Sequence, residues 1–345
     1  MPSKPINRSL VAAKVTKQDE FYTQLSDIEK ELRYYTKLFK NKTVLCNCDD
    51  PKVSNFFHYF SHNFERLKLK KLTTTSYKNC DADLFSKHTA ERGIYLEYEG
   101  DKNDNRVPDP DEIGIHMLKG DGDFRSEECV TLLKQADIVI TNPPFSLFRE
   151  YVEQLIEHKK KFLVIGNINA ISYKKCFDLI KKNKMWLGYN CARHFSRPDG
   201  SMFESARSFW FTNLDIAKRH EDLILYKTYR RKEYPKYDNY DAIEVSKGED
   251  IPCDYDGAMG VPLTFLDKHN PDQFEILGLS GHADYPMTRT YGKKERVVDG
   301  VRMKSNTGTL GAVIRTDSFG SGSHFDVGYP VKGVYRRLFI RRKKR

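Results

Sequence analysis

Within the 345-residue chain, the run Thr141-Asn142-Pro143-Pro144-Phe145 has the residue types for one particular kind of chemistry. Two consecutive prolines fix two φ angles and hold Asn142 away from helical geometry, so the turn is rigid and its side chain and carbonyls are aimed in advance. The Asn142 side-chain oxygen and the Pro143 carbonyl are neighbouring acceptors, and an exocyclic amine offers the two hydrogens such a pair can take. Held in this way, the amine nitrogen keeps its lone pair directed at an incoming methyl carbon, while Phe145 stacks on the ring that carries the amine. An ordinary proline turn would account for Pro143 and Pro144 but not for the Asn and Phe on either side of them.

Such a loop needs a strand before it and a helix after it, and the sequence supplies both. Asp137 to Thr141 reads as a buried strand, Leu147, Phe148, Tyr151, Val152, Leu155 and Ile156 fall on one helical face, and Phe162 to Ile165 is the next strand. Upstream, Ser26 and Glu29 form a capping-box pattern for a helix with Ile28, Leu32, Tyr35 and Phe39 on one face, ending near Lys40-Asn41. Thr43 to Cys46 is a short strand, Phe56, Phe60, Phe64 and Leu67 form a helical stripe, and Leu72 to Tyr77 is a second strand. Gly93 to Glu99 adds a strand, Asp101 to Glu112 is a surface loop, Tyr173 to Asn183 suggests a helix, and Met185 to Tyr189 and Ser208 to Thr212 suggest later strands. The alternation predicts an α/β fold, an open, mainly parallel twisted sheet with helices on both faces and its ligand beyond the carboxyl ends of the strands.

Three segments are expected. Residues 1–18 are polar and basic and read as a mobile arm; residues 19–216 carry the α/β pattern; residues 217–345 turn to short aromatic and Gly/Pro-punctuated stretches, an irregular, strand-rich region with a basic tail. The apolar fraction is 39% with 21 Phe and 20 Tyr, which excludes a disordered chain. No stretch approaches the ~20 apolar residues that a bilayer needs, and the N-terminus lacks a signal-peptide hydrophobic region, so no membrane association and a cytoplasmic location are expected. Seven cysteines, with only Cys46 and Cys48 close together, fit neither a zinc ribbon nor a disulfide framework, and no metal site is expected. A net charge of +10 points to a polyanionic partner.

The tetrapeptide Asn142-Pro143-Pro144-Phe145 is the signature of amino-methyltransferases acting on adenine N6, cytosine N4 or protein glutamine, with Asn favouring adenine. Further segments resemble that superfamily in its gamma order: Phe21-Tyr22-Thr23 matches the N-terminal cofactor motif, Leu118 to Phe124 resembles the segment whose Asp123 and Phe124 bracket the cofactor's adenine, and Ser208 to Asn213 resembles the late aromatic strand lining the target-base pocket. Phe21 to Leu32, Cys46 to Pro51, Ser54 to Phe60 and the Asn142 loop resemble the EcoRI-type adenine-specific DNA methyltransferases in particular. That resemblance implies a Rossmann-like domain binding S-adenosyl-L-methionine through Phe21, Tyr22, Thr23, Cys48, Asp49, Asp50, Asp123 and Phe124, with Asn142 to Phe145 catalytic. It also implies double-stranded DNA as substrate, GAATTC as the favoured site, base flipping, and a restriction-modification context in which a companion endonuclease acts on the same site without direct binding. The protein is expected to be monomeric.

Within that likeness there are departures. The loop Cys46-Asn47-Cys48-Asp49-Asp50-Pro51 lacks the glycines that usually let backbone approach a cofactor, and Asp49 and Asp50 either line that loop or cap the following helix. The ribose partner is Asp81, Asp83 or neither. Arg289, Lys293, Lys294, Arg296 and Arg302 are candidate DNA contacts, and Arg341 and Arg342, in the basic run to Arg345, either grip phosphates or belong to a solvated tail. An RNA or protein-glutamine amino-methyltransferase, and an inactive DNA-binding relative, remain alternatives.

Overall fold

A computed structural model describes residues 21–48, 54–76, 93–105, 107–197, 199–292, 294–304 and 310–344. The arm expected over residues 1–18, together with Asp49, Asp50, Asp81, Asp83, Lys293 and Arg345, lies outside these residues. The chain divides into two compact units, Met1–Ile216 and Ala217–Arg345.

In chain order the first unit contains β1 (Tyr22–Thr23), α1 (Leu25–Leu32), β2 (Thr43–Asn47), α2 (Asn55–His62), α3 (Phe64–Leu67), β3 (Lys71–Ser76), β4 (Ile94–Tyr98), β5 (Ile113–Met117), α4 (Glu127–Gln135) and β6 (Ile138–Thr141). It continues with α5 (Phe148–Glu157), β7 (Lys161–Asn167), α6 (Lys174–Lys181), β8 (Trp186–Cys191), β9 (His194–Ser196), β10 (Met202–Glu204) and β11 (Ser208–Thr212). An eight-stranded sheet runs β5-β4-β3-β2-β6-β7-β11-β8, and β1-β9-β10 form a small second sheet. Parallel pairing is confined to the four central strands β3, β2, β6 and β7, with antiparallel strands on both flanks, so the sheet is mixed rather than mainly parallel. The connections explain it: a parallel return needs a crossover of about a dozen residues or more, usually a helix, whereas β4 reaches β5 through a turn-rich loop without one.

Residue alternation shows where the core sits. Val44, Cys46, Ile138, Ile140, Leu163, Ile165 and Trp210 join one buried cluster with Ile28, Leu32, Tyr35 and Phe39 and with Phe56 and Phe60 of α2. Their neighbours Leu45, Val139, Phe162, Val164 and Phe211 are also buried and face the other side of the sheet. There Phe148 of α5 meets Phe211 at 5.1 Å between ring centroids and lies so close to Gly166 that no Cβ would fit. Helices therefore cover both faces.

Local chemistry moved several boundaries. The capping box at Ser26 does not form: α1 starts directly after β1, with Gln24 at its N-cap and no side-chain cap bond, so Ser26 lies inside the helix. The helix ends at Leu32 and a 3-10 turn at Thr36–Leu38 carries the same apolar face onward, leaving Tyr35 and Phe39 fully buried. The stripe from Phe56 to Leu67 is broken at Asn63, whose side chain donates to the Tyr59 carbonyl at 2.7 Å and competes with the helical backbone. β5 and α4 were not anticipated, although Ser126, which accepts from Cys129 N at 3.3 Å, with Glu127 and Glu128 behind it, is a helix start with its dipole complemented.

The second unit comprises β12 (Ile243–Glu244), β13 (Met259–Pro262), β14 (Phe274–Leu279), β15 (Glu295–Val298), β16 (Val301–Lys304), β17 (Val313–Arg315), β18 (Ser323–Asp326), β19 (Pro330–Gly333) and β20 (Arg337–Arg342). They form a four-stranded sheet, β12-β13-β20-β14, and a five-stranded one, β16-β15-β18-β19-β17. Among the described residues its helices are short 3-10 turns such as Leu263–Lys268. The basic C-terminal run is not a tail as far as Arg342: β20 is an inner strand paired on both sides, because Leu338, Phe339 and Ile340 between the flanking arginines are all buried. Glu244, buried on β12 of the same sheet, forms a 2.6 Å ion pair with Arg337.

Candidate active site

At the carboxyl ends of β2 and β6 the sheet is tied by side chains. The Thr141 hydroxyl donates to the Asn47 carbonyl, and the Tyr151 hydroxyl of α5 donates to the Asn47 side-chain oxygen. Beyond Thr141 the chain passes through Asn142 and buried Pro143, and Leu147 N returns to the Pro144 carbonyl at 2.9 Å as α5 begins. Asn142 is only 5% exposed. Its Nδ2 donates to the Phe21 carbonyl, whereas its Oδ1 is buried and accepts no hydrogen bond among the described residues. A buried acceptor left unpaired costs about 1–3 kcal/mol, so a ligand N–H reaching this oxygen recovers a penalty already present in the fold.

Around Asn142 lies an aromatic cluster. Phe21 meets Phe145 edge-on at 6.0 Å and Phe203 at 4.8 Å, and Phe195 stacks on Phe203 at 5.5 Å. The Arg197 guanidinium sits 4.5 Å over the Phe203 ring. Strand pairing brings the N-terminal segment here: Tyr22 is opposite Ser196 and Thr23 opposite Phe195. The anchor is Asp27, which accepts from the backbone N–H groups of Arg193 and His194 at 2.6 and 2.7 Å.

Of the other residues assigned to the cofactor, Thr23, Cys48, Asp123 and Phe124 are described. Thr23 is buried with its Oγ1 unpaired among the described residues, and its carbonyl accepts from Asn55 Nδ2 at 2.7 Å. Cys48 takes φ +79°, a left-handed conformation that glycine adopts without cost. The loop thus makes a glycine-type turn without a glycine. Asp123 is gripped by Arg125, Nη2 to Oδ2 at 2.6 Å and Nε to Oδ1 at 2.9 Å, and these bonds hold its carboxyl below the usual range. Arg125 also reaches Glu150 of α5 at 3.2 Å. Phe124 is buried edge-on against Tyr151 at 5.0 Å, which links it through Asn47 to Thr141.

The late aromatic strand differs from its expected part. Trp210 is fully buried 6.0 Å from Phe56, and Phe211 packs on Phe148, so both are core residues; Phe209 alone of the three keeps some exposure. Sequence reasoning missed Asn47, Tyr151 as a hydrogen-bond donor, and the Phe195/Phe203 pair. A signal for the pair existed in Asp199-Gly200, where Gly200 takes φ +81° and turns β9 into β10.

The basic residues singled out in the second unit are not equivalent. Arg289 is exposed and donates to Tyr329 OH at 2.7 Å, with Asp238 3.4 Å away. Lys294 is half-buried, and Arg296 is exposed with its Nε on Ser323 Oγ at 3.0 Å. Arg302 bridges Glu295 at 2.7 Å and Asp326 at 2.8 Å. Arg341 is exposed, while Arg342 reaches Asp256 at 3.4 Å. Among the described residues no helix is long and apolar enough to cross a membrane.

Comparison with known proteins bears on the same chain. It is 49% identical over 297 residues to the Type II methyltransferase M.EcoRI of Escherichia coli, covering 80% of this chain and 90% of that one. Identity is 41% over 290 residues to M.MgeORF184P of Mycoplasma genitalium, covering 77% and 84%, and 39% over 286 residues to M.MpnI of Mycoplasma pneumoniae, covering 77% and 83%; both are also named Type II methyltransferases. No solved structure matches. Residues 9–343 match the family described as "Adenine-specific methyltransferase EcoRI", and with identity of this extent the chain belongs to that family.

Proposed function

We propose that this protein methylates adenine N6 in duplex DNA at GAATTC, acting on a flipped base, with S-adenosyl-L-methionine as donor. The observation that carries the reading is the buried, unpaired Asn142 Oδ1, at the end of β6 beside Phe145, in a chain of this family. Residues fit the donor at the same end of a Rossmann-like sheet: the unpaired Thr23 hydroxyl, the glycine-type turn at Cys48, and Asp123 with Phe124. Asp49 and Asp50 complete that group on the resemblance alone. The donor supplies an electrophilic methyl on a sulfonium.

The rest is the work of the chain. Asn142 Oδ1 and the Pro143 carbonyl accept the two amine hydrogens, Phe145 stacks on the extruded base, and the amine nitrogen displaces the thioether in one step before losing a proton to water. The first unit holds both reactants and the second binds the duplex and reads its sequence, with Arg289, Lys293, Lys294, Arg296, Arg302, Arg341 and Arg342 as its candidate DNA contacts. The protein works as a monomer in the cytoplasm, within a restriction-modification system whose endonuclease acts on the same site without binding it.

The test is transfer of labelled methyl into duplexes with and without GAATTC, followed by nucleoside analysis. N6-methyladenine confined to the GAATTC duplex is expected. Label in RNA or protein glutamine, or none at all, would replace the reading with one of its alternatives.

A further inference from the structure

The positive charge of this chain is concentrated. Residues 289–345 hold 15 Lys or Arg against 4 Asp or Glu, while the remainder holds 43 against 44 and is close to neutral. Inside this basic segment β15 and β16 form a hairpin closed by Asp299 and Gly300, both with positive φ (48° and 82°), as a two-residue type I′ turn requires. The tip is fixed, because Asp299 Oδ1 accepts from Gly322 N at 2.8 Å and Asp299 N donates to the Gly322 carbonyl at 3.3 Å. β16 is the edge strand of its sheet.

The register separates two faces. Arg302 stands opposite Val297 on one; Arg296 opposite Met303 and Val298 opposite Val301 share the other. The first face is explained by the fold: Val297 is buried and Arg302 is neutralised between Glu295 and Asp326. The second is not. Val301 is 64% and Met303 51% exposed, beside exposed Arg296, whose guanidinium Nε donates to Ser323 Oγ. Aliphatic and thioether side chains displayed on a rigid ribbon, in a strongly cationic segment, match a surface that is anionic at its rims and apolar at points on its floor.

We propose that this ribbon face enters the major groove of the target duplex, with Val301 and Met303 against thymine 5-methyl groups and Arg296 forked onto a purine edge. The major groove, about 12 Å wide, admits a two-stranded ribbon, and the thymine methyl is its one apolar feature. The proposal rests on the reading of the chain as a duplex-DNA adenine methyltransferase. This placement withdraws Arg302, held on the other face by Glu295 and Asp326, from the candidate DNA contacts and gives it the part of shaping the ribbon.

Uracil lacks only the 5-methyl group of thymine, which makes it the probe. Binding and methylation by the full-length protein are measured on the hexamer it methylates, with each thymine replaced by uracil in turn. The unaltered protein loses about fourfold in affinity at one or more positions, the worth of one buried methyl. In Val301→Ala or Met303→Ala that penalty vanishes at the matching position, while methylation at saturating DNA keeps its rate and shows that the variant is folded. A penalty that persists unchanged in both variants, or none in the unaltered protein, overturns the ribbon placement alone. Absence of duplex adenine methylation in the unaltered protein overturns the functional reading and this inference with it. A dimer lost on either substitution, with the uracil penalty intact, gives the face to a second copy of the chain and overturns the proposal.

Discussion

Two buried glutamates, Glu31 in the first unit and Glu244 in the second, are satisfied in opposite ways. Glu31, in the first, has no cation among the described residues: it accepts from Tyr189 N at 2.8 Å, Asn190 N at 2.7 Å, Asn190 Nδ2 at 2.9 Å and Tyr35 OH at 2.8 Å, and burial pushes its carboxyl above the ordinary value. Glu244, in the second, is clasped by Arg337 through Nε at 2.9 Å and Nη2 at 2.6 Å and also accepts from the Tyr237 hydroxyl. The first unit thus satisfies Glu31 with neutral donors, and it leaves Asn142 Oδ1 unfilled at the sheet end. The second pairs its charges among themselves. What a residue contributes should differ accordingly: rate in the first unit, fold and affinity in the second.

The largest effect should come from Glu244→Ala. It leaves Arg337, whose side chain is only 11% exposed, without its partner, a loss of about 3 kcal/mol in stability, read as a fall in the unfolding midpoint in urea. Glu31→Gln should cost less, since the amide oxygen keeps two of the four donors and the Tyr35 hydroxyl can turn to accept from the new N–H, and it should change the response to pH. Glu31 holds its proton more tightly in the fold than in the unfolded chain, so the stability it contributes is full below about 4.5 and is lost as pH rises through the raised value. Melts of Glu31→Gln should lack that decline. Equal losses for the two substitutions at neutral pH would end the contrast.

Next in size is Asn142→Ala, which removes the unfilled acceptor. Single-turnover methyl transfer at saturating DNA and donor should slow by about two orders of magnitude or more, the cost of one aligned contact to a transition state. The same change also removes the bond to Phe21, so donor affinity should fall modestly. Phe145→Ala should act differently, weakening capture of the base by ~1–3 kcal/mol, the worth of stacking. A wild-type transfer rate in Asn142→Ala would show that the open acceptor has no part in the reaction.

The first unit was far more legible in sequence than the second, for physical reasons. Long helices and buried parallel strands carry periodic apolar patterns, so β2, α2, β3, β6, α5 and β7 were all anticipated near their observed positions. The Asn142 loop stood out because Asn-Pro-Pro-Phe has no packing role that explains every member. Its neighbourhood did not stand out: Asn47, Phe195 and Phe203 reach it through strand register, and register is a property of pairs of segments. In the second unit the strands are short and the sheets connect distant residues, Glu244 with Arg337 above all. Arg-Arg-Leu-Phe-Ile-Arg-Arg reads by charge as a tail, yet its three apolar residues make it an inner strand.

The smallest effect expected follows from that strand. Arg342 and Lys344 both reach Asp256, at 3.4 and 3.1 Å, whereas Arg341 and Lys343 are exposed and in no ion pair among the described residues. Four charges adjacent in sequence are therefore two free and two already matched. Each phosphate contact made by a cation contributes about 0.9 to the slope of log affinity against log salt, because it releases condensed counterions. Arg341→Gln with Lys343→Gln should lower that slope by up to about 1.8 and weaken all duplexes alike, leaving the ratio between target and scrambled sequence unchanged. Arg342→Gln with Lys344→Gln should change the slope less, since Asp256 competes with phosphate for those two cations. Binding isotherms at several salt concentrations separate the two pairs, and equal slopes for both would show that the ion pairs with Asp256 do not survive on DNA.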